Sequence, residues 1–133
     1  MKKRPTPRFT AVFNAGYGAS KSGMLFPCRI IDISWGGSCI ELFAQHKIIT
    51  GSTVELHIEI PGLNRRIVTS FRCLWDRPIE PKDNEDGHII GGCFIDMSPE
   101  DRNLLLDRAK QQAKNDPAIQ PKAYKQYAHT HLH

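Results

Sequence analysis

Apolar and polar residues alternate along much of the chain, which is the pattern of β-strands that bury one face. The clearest case is residues 53–60, where Val54, Leu56 and Ile58 share one face and polar side chains occupy the other. Together with apolar runs that end at turn-forming glycines and prolines, this alternation predicts strands at residues 9–14, 27–33, 38–43, 53–60, 66–75 and 88–97. The chain is therefore predicted to be mostly β.

Polar and glycine-rich segments separate these strands. Residues 16–20 and 35–37 are predicted as short connections, and residues 77–87, which are rich in proline and acidic residues, are predicted as an exposed loop. Gly91 and Gly92 lie inside the last predicted strand, where they indicate a bulge or a sharp bend.

One helix is predicted after the last strand. Ser98 can cap the first amides, Pro99 suits the first helical turn, and Glu100 and Asp101 favour the positive end of the helix dipole. Apolar positions then recur at helical spacing until the Asn-Asp-Pro sequence at 115–117 stops the helix. From the residues alone, six strands and one helix predict a small closed barrel or a strongly curved sheet with the helix packed against it.

These elements divide the chain into four predicted parts. Residues 1–8 form an N-terminal arginine arm, residues 9–97 the β-barrel, residues 98–115 the C-terminal helix, and residues 116–133 a polar tail that we expect to be loose. A length of 133 residues fits one domain, and an apolar content of 40% is enough for a buried core.

Composition narrows the range of partners and locations. There are 18 Lys and Arg residues against 14 Asp and Glu residues, and the resulting net charge of +4 suits a phosphate-bearing partner. Because no apolar run is long enough to cross a bilayer and the basic start lacks an apolar h-region, we expect neither a membrane partner nor secretion. The 4 cysteines form no C-x-x-C pair and lie among apolar residues, as expected of buried thiols in a cytoplasmic protein.

The first candidate binding segment is residues 4–8. Arg4 and Arg8 lie four positions apart, and two prolines keep the backbone between them out of a helix. A guanidinium donates two parallel hydrogen bonds to a phosphate or to the N7 and O6 edge of guanine, and its flat face stacks on a base. The segment is therefore a candidate anion-binding arm, with a merely solvated basic terminus as the alternative.

The second stretch, residues 32–37, lies at the end of a predicted strand. Asp32 and Ser34 are two positions apart, so both side chains project from the same face of an extended segment. A carboxylate and a hydroxyl on one face can accept from and donate to a single polar ligand. Gly36 and Gly37 let the backbone turn sharply and let a ligand approach closely. A plain turn is the alternative.

The order and spacing of the two stretches resemble the paired signature of the PilZ domain family. Arg4-x-x-x-Arg8 is followed, after 23 residues, by Asp32-x-Ser34-x-x-Gly37. The resemblance extends to the strand order and to the segment that leads into the C-terminal helix, and it covers roughly residues 4–114. It implies a six-stranded antiparallel β-barrel, in agreement with the strand count reached from periodicity. It also implies a bacterial receptor for the second messenger cyclic di-GMP.

The resemblance assigns expected roles to the five signature residues. Arg4 and Arg8 are expected to hold the guanine edges and phosphates of cyclic di-GMP. Asp32 and Ser34 are expected to contact a guanine base, and Gly37 is expected to keep the surface open for the ligand.

Four further positions join the candidate site. Gly36 is a candidate for backbone approach. Trp75 matches the position of an aromatic residue that contacts the ligand in some family members, with a place in the core at the barrel rim as the alternative. Trp35 either stacks on a base or covers the barrel end. Lys3 precedes the first signature arginine at a position that is associated with ligand stoichiometry, and a basic residue there favours an intercalated pair over one bound molecule.

A switch mechanism follows from the resemblance. Residues 1–8 are expected to be mobile without ligand and to become ordered across the barrel when cyclic di-GMP bridges arm and barrel. No domain precedes the arm in this sequence, so the signal is expected to pass to a separate, unidentified downstream protein.

Three alternatives compete with this interpretation. The first is a PilZ-like adaptor that binds proteins without nucleotide, and the second is a small barrel that binds single-stranded nucleic acid. Nucleic acid is not expected, because several of the 6 Phe, 3 Tyr and 2 Trp residues fall on core faces and leave little for a stacking platform. The third is an enzyme, which is not expected because no phosphate-binding loop, nucleophile elbow or paired metal-ligand motif is present. No cofactor or metal is predicted.

Overall fold

A computed structural model of the chain describes residues 8–19, 23–44 and 48–115. The elements along these residues are β1 (Arg8–Gly18), β2 (Phe26–Ser34), β3 (Gly37–Phe43), β4 (Thr53–Glu59), β5 (Arg66–Lys82), β6 (Glu85–Phe94) and α1 (Pro99–Asn115). Most of the predicted arm and the whole predicted tail lie outside the described residues, so the division into four parts stays a prediction.

The six strands form a closed ring in which each strand pairs antiparallel with two neighbours. The order around the ring is β1-β2-β3-β6-β5-β4. The sequence-based expectation of a mostly β chain with six antiparallel strands and one C-terminal helix is therefore confirmed.

The core lies inside this ring, because alternate residues of each strand point inward. In β4, Leu56 and Ile58 are fully buried, as the alternation predicts. Helix α1 packs against β1 and β2 and contributes Leu105 and Ala109 to the same core. The predicted cap is also present, since the Asp101 amide donates to the Ser98 hydroxyl over 3.1 Å. Among the described residues, no helix is long and apolar enough to span a membrane.

The expectation of a loop at residues 77–87 is wrong, although most of these residues are exposed as expected. Strand β5 continues to Lys82 and β6 begins at Glu85, and the two strands are joined by a tight turn. Asp83 and Asn84 form that turn with φ angles of 53° and 63°, which short Asx side chains tolerate better than most. The described pairing of β5 with β4 ends at Arg72, so the prolines beyond it do not interrupt that part of the ladder.

The predicted connection at residues 16–20 is also wrong for its first part, because β1 extends to Gly18. The sequence suggests a loop because it contains two glycines, but the strand needs them for close packing. A Cβ at Gly18 would lie 2.2 Å from the carbonyl oxygen of Met24, and one at Gly16 would lie 3.2 Å from the Leu25 side chain. The two glycines therefore let the segment at Met24 and Leu25 approach β1 closely, and they do not end the strand.

The bulge predicted at Gly91 and Gly92 occurs opposite them. Cys73 pairs with Gly92 and Trp75 pairs with Gly91, so the extra residue is Leu74 in β5. One inserted residue reverses the side-chain alternation of the strand that carries it. Trp75 therefore does not share the inward face of Cys73, although period-two alternation predicts that it does.

Candidate ligand-binding site

The two signature stretches meet at Arg8 and Asp32. Arg8 is the first residue of β1, which runs beside the end of β2 that carries Asp32. Its Nη2 lies 2.9 Å from Asp32 Oδ1 and its Nε lies 3.4 Å from Oδ2, so the guanidinium pairs side-on with the carboxylate. Arg8 and Asp32, 24 positions apart in sequence, are thus in direct contact.

Asp32 is 0% exposed, whereas the Arg8 side chain is 34% exposed. The Asp32 carboxylate also accepts the Cys39 amide, at 2.9 Å from Oδ1. Burying a carboxylate is costly unless it is paired and hydrogen-bonded, and Arg8 and Cys39 supply both kinds of partner. Asp32 therefore fixes Arg8 at the margin between protein and solvent.

The Cys39 thiol lies beside this pair, with its Sγ 3.9 Å from Arg8 Nη2. Burial, with a smaller contribution from the neighbouring Asp32 carboxylate, raises the pKa of the Cys39 thiol to about 12. Cys39 is consequently a neutral thiol at physiological pH, and it lines the ion pair without adding charge.

Ser34 and Gly37 flank the turn between β2 and β3. The Ser34 hydroxyl donates to the Gly37 carbonyl over 3.2 Å and accepts the Gly37 amide over 3.3 Å. Ser34 is itself buried. Its hydroxyl therefore closes the turn, and a hydroxyl has a second lone pair with which to accept one further hydrogen bond.

The two glycines of the turn have different surroundings. A Cβ at Gly37 would lie 2.0 Å from the Gly92 carbonyl oxygen, so glycine is required there for the packing of β3 on β6. A Cβ at Gly36 would meet nothing within 4 Å. The open surface that sequence reasoning assigned to Gly37 thus lies at Gly36, and ligand contact at either glycine stays a prediction.

Trp75 lies on the same outer face of the ring as Asp32. In register, Asp32 pairs with Cys39, and Cys39 pairs with Gly91, which pairs with Trp75. A Cβ at Gly91 would lie 2.1 Å from Cε2 of the Trp75 indole, so the ring lies directly over this glycine. The bulge at Leu74 turns Trp75 to this outer face, and the absence of a side chain at Gly91 leaves room for its indole.

Trp35, at the tip of the β2–β3 turn, contacts helix α1. Its backbone carbonyl accepts the Arg102 Nη1, and the Arg102 guanidinium lies 5.7 Å from the centroid of its indole. Arg102 is not among the residues that the sequence patterns single out. Its one sequence signal is a cation near a helix N-terminus, where the helix dipole disfavours positive charge.

Two predicted site residues, Lys3 and Arg4, lie outside the described residues. The other candidates fall into two groups on the ring, the β1–β2–β3 end with its turn and the Trp75 indole over β6. A separate cleft of about 600 Å³ at the β4–β5 connection is lined by none of these residues. Among the described residues, no group of three or more His, Cys, Asp or Glu side chains is arranged to hold a metal ion.

A family model of the PilZ domain matches residues 2–111, so this chain belongs to the PilZ domain family. The resemblance inferred from the two signature stretches is therefore confirmed. A search of curated protein sequences finds no match to the chain.

Solved structures share the fold at low sequence identity. The PilZ domain with c-di-GMP of YcgR from Escherichia coli is 14% identical with a TM-score of 0.67, over 88% of this chain and 98% of that one. The K. pneumonia MrkH–c-di-GMP complex is 17% identical with a TM-score of 0.65, over 86% of this chain and 55% of MrkH. The Bacillus subtilis inhibitor of motility MotI/DgrA is 18% identical with a TM-score of 0.63, over 87% of this chain and 54% of that one. This chain therefore spans about half the length of the MrkH and MotI/DgrA chains.

Proposed function

We propose that this protein is a receptor, not an enzyme, that binds cyclic di-GMP on the outer face of its strand ring and signals to a second protein in the cytoplasm. Membership of the PilZ family supports the choice of ligand, as do two structural relatives, MrkH and the YcgR PilZ domain, whose structures contain c-di-GMP. The RxxxR arm and the DxSxxG strand end are the proposed binding elements.

The contact between Arg8 and Asp32 is the observation that carries the proposal. Side-on pairing through Nε and Nη2 engages one edge of the guanidinium and fixes its plane. The proposal assigns the exposed part of this guanidinium, whose side chain is 34% exposed, to a phosphate or to the O6 and N7 atoms of a guanine. Asp32 and Ser34 then serve the guanine N–H donors from the same face of β2.

Residues outside the described part complete the proposed site. Arg4 supplies a second planar cation and Lys3 a third positive charge, which suits a ligand with two phosphates. A set of three or four charge-assisted hydrogen bonds at about 1.5–3 kcal/mol each, less the cost of ordering arm and ligand, corresponds to roughly micromolar affinity. With Lys3 basic, an intercalated pair of ligand molecules is the stoichiometry we propose.

Aromatic rings supply the proposed stacking surfaces. Trp75 lies over Gly91 in the row of paired residues that begins at Asp32, and Gly36 leaves the turn open to a ligand. Base–aromatic stacking contributes about 1–3 kcal/mol per base. In this proposal residues 1–7 close over the bound ligand, and the surface so formed is what a downstream protein recognises.

The proposal is tested by isothermal titration calorimetry of the whole chain with cyclic di-GMP, with cyclic di-AMP as the matched purine control. We expect roughly micromolar binding of cyclic di-GMP, and a loss of at least tenfold in affinity for Arg8→Ala. Arg66→Ala is the control for loss of one positive charge, since the exposed Arg66 begins β5, the strand opposite β2 in the ring order.

The same titration separates the alternatives. Absence of heat with the wild-type chain contradicts nucleotide binding and favours the adaptor. Equal affinity for the two cyclic dinucleotides contradicts guanine recognition by Arg8 and Asp32. Tight binding of a single-stranded oligonucleotide in a gel-shift assay, with no response to cyclic di-GMP, favours the nucleic-acid-binding barrel.

A further inference from the structure

Arg102 connects helix α1 to the tip of the candidate site. Its Nη1 donates to the Trp35 carbonyl, and its Nε donates to the Met97 carbonyl over 3.0 Å. The guanidinium carbon lies 5.7 Å from the centroid of the Trp35 indole and 5.9 Å from the centroid of the Phe94 ring. One side chain thus holds both the backbone and the ring of Trp35.

Helix α1 is itself fixed to the strand that carries Arg8. The Gln112 side chain accepts the Val12 amide over 2.7 Å and donates to the Val12 carbonyl over 2.9 Å. This contact occurs where the register between β1 and β2 shifts, between Thr10 and Phe13. Because α1 is held at Val12, Arg102 is a stationary anchor for the turn rather than a mobile surface side chain.

We propose that Arg102 is a positioning residue of the candidate site, which holds Trp35 as a shelf on which a guanine of the ligand stacks. This inference rests on the proposed function and adds a second stacking surface to it. Trp35 remains 41% exposed while it contacts Arg102, so it has surface with which to meet a base.

The physical reason is preorganisation. A tryptophan at the tip of a two-residue turn can adopt several orientations, and a ligand that stacks on one of them bears the cost of ordering it. A cation–π contact and a hydrogen bond to the Trp35 carbonyl remove that freedom before the ligand arrives. Arg102 therefore acts on affinity through Trp35, without touching the ligand.

The test is a double-mutant cycle on the whole chain, with cyclic di-GMP affinity measured by calorimetry. We expect Arg102→Ala to weaken binding about fivefold to tenfold and Trp35→Ala to weaken it tenfold or more. In the Trp35→Ala background, Arg102→Ala should cost less than a further twofold, because the residue through which it acts is gone. Arg108→Ala is the matched control, since Arg108 lies on the same helix and donates to the Pro61 carbonyl at 3.3 Å; its affinity should stay within twofold.

A second readout separates positioning from a general loss of stability. In NMR spectra of the wild type, cyclic di-GMP should shift the indole N–H resonance of Trp35. This resonance is identified as the one that disappears in Trp35→Phe. In Arg102→Ala that shift should shrink, although the variant remains folded under the same conditions. If Arg102→Ala does not fold, Arg102→Gln keeps an amide donor for the Trp35 carbonyl and should weaken binding in the same direction.

The outcomes are distinguishable. If the wild type does not bind cyclic di-GMP, the proposed function is wrong. If the wild type binds and Arg102→Ala binds within twofold of it, the function stands and the positioning role is refuted. Fully additive losses in the double variant also overturn it, because Arg102 then acts by a route other than Trp35.

Discussion

The fully buried carboxylate of Asp32 is paired with the guanidinium of Arg8, at 2.9 Å between Oδ1 and Nη2, and this pair joins the start of β1 to the end of β2. The cation is the more exposed partner and the carboxylate is enclosed. A buried carboxylate that loses its cation keeps the full cost of desolvation. The pair therefore stabilises the contact between β1 and β2 and is also the proposed ligand contact. Its contributions to stability and to ligand binding can be measured separately.

Arg8→Ala should lower the free energy of unfolding by about 1–3 kcal/mol at pH 7, because it removes the cationic partner of Asp32. The loss is smaller than that for a fully buried ion pair, since the Arg8 side chain is 34% exposed. Urea denaturation followed by circular dichroism measures the change.

A double variant and a control sharpen this experiment. Arg8→Ala combined with Asp32→Asn should lose less stability than the two single variants added together, because the buried charge is removed with its partner. Arg66→Ala should stay within about 0.5 kcal/mol of the wild type. Wild-type stability in Arg8→Ala would show that the pair contributes nothing to the fold.

Gly36 and Gly37 offer a matched pair of substitutions. Gly37→Ala should destabilise the protein by about 1–3 kcal/mol, since its Cβ would lie 2.0 Å from the Gly92 carbonyl oxygen and force β3 away from β6. Gly36→Ala should leave the unfolding midpoint nearly unchanged, because its Cβ would meet nothing within 4 Å.

The affinity for cyclic di-GMP, measured by calorimetry, tests whether the ligand occupies the open space at Gly36. Under the proposed function, Gly36→Ala should weaken cyclic di-GMP binding severalfold while the fold is unaffected. Thermal unfolding of Gly36→Ala and Gly37→Ala measures the predicted difference in stability. Equal stability of Gly36→Ala and Gly37→Ala would contradict the packing explanation.

Local sequence patterns predict the ring of strands, but they do not predict that β5 and β6 extend through residues 77–87. Leu56 and Ile58 alternate with polar residues, and that alternation is itself the physical reason for a strand with one buried face. Residues 77–87 are polar and contain two prolines, so a local rule predicts a loop. Their strand structure comes from the pairing of β5 with β6. The nearby sequence signal for this pairing is a turn at two residues, Asp83 and Asn84, that tolerate positive φ.

The candidate site is predictable to a similar, partial degree. The contact between Arg8 and Asp32 could be anticipated, because the family signature contains both residues at that spacing. The place of Trp75 could not, since it depends on one extra residue in β5 that local periodicity does not reveal. Arg102 cannot be identified from local sequence, because its contact with Trp35 depends on where α1 packs, which is a property of the folded chain.

The stability of the β6–α1 junction should depend on pH through Asp96. Its carboxylate accepts hydrogen bonds from the Ser70 amide at 2.8 Å, the Thr69 hydroxyl at 3.0 Å and the Ser70 hydroxyl at 3.2 Å. These bonds, led by that of the Ser70 amide, hold the pKa of Asp96 below its ordinary value of 3.8. The stabilisation is therefore present above pH 3.8 and is lost as the pH falls through the lowered pKa of the folded protein.

Asp96→Asn tests this pH dependence. At pH 7 it should cost about 1 kcal/mol or less, since Asp96 is exposed and asparagine keeps one acceptor. The difference from wild type in urea midpoint should shrink as the pH is lowered below 3.8. Asp107→Asn, on the exposed surface of α1, is the control for the loss of one negative charge. A gap that stays constant down to the lowest pH at which the protein folds would contradict a lowered pKa.

The Cys39 thiol should report the environment of the ion pair through its reaction with iodoacetamide. Because burial raises its pKa to about 12 from an ordinary 9.0, its thiolate fraction at pH 8 is about a thousandfold below that of an ordinary thiol. Alkylation followed by peptide mass spectrometry should give a rate for Cys39 that still rises about tenfold per pH unit up to pH 10. The urea-unfolded chain is the control, where the thiol is half ionised at its ordinary pKa of 9.0 and the same rate should level off about one to two pH units above that value. A rate that levels off at the same pH in the folded protein as in the unfolded chain would mean that Cys39 is not enclosed beside Arg8 and Asp32.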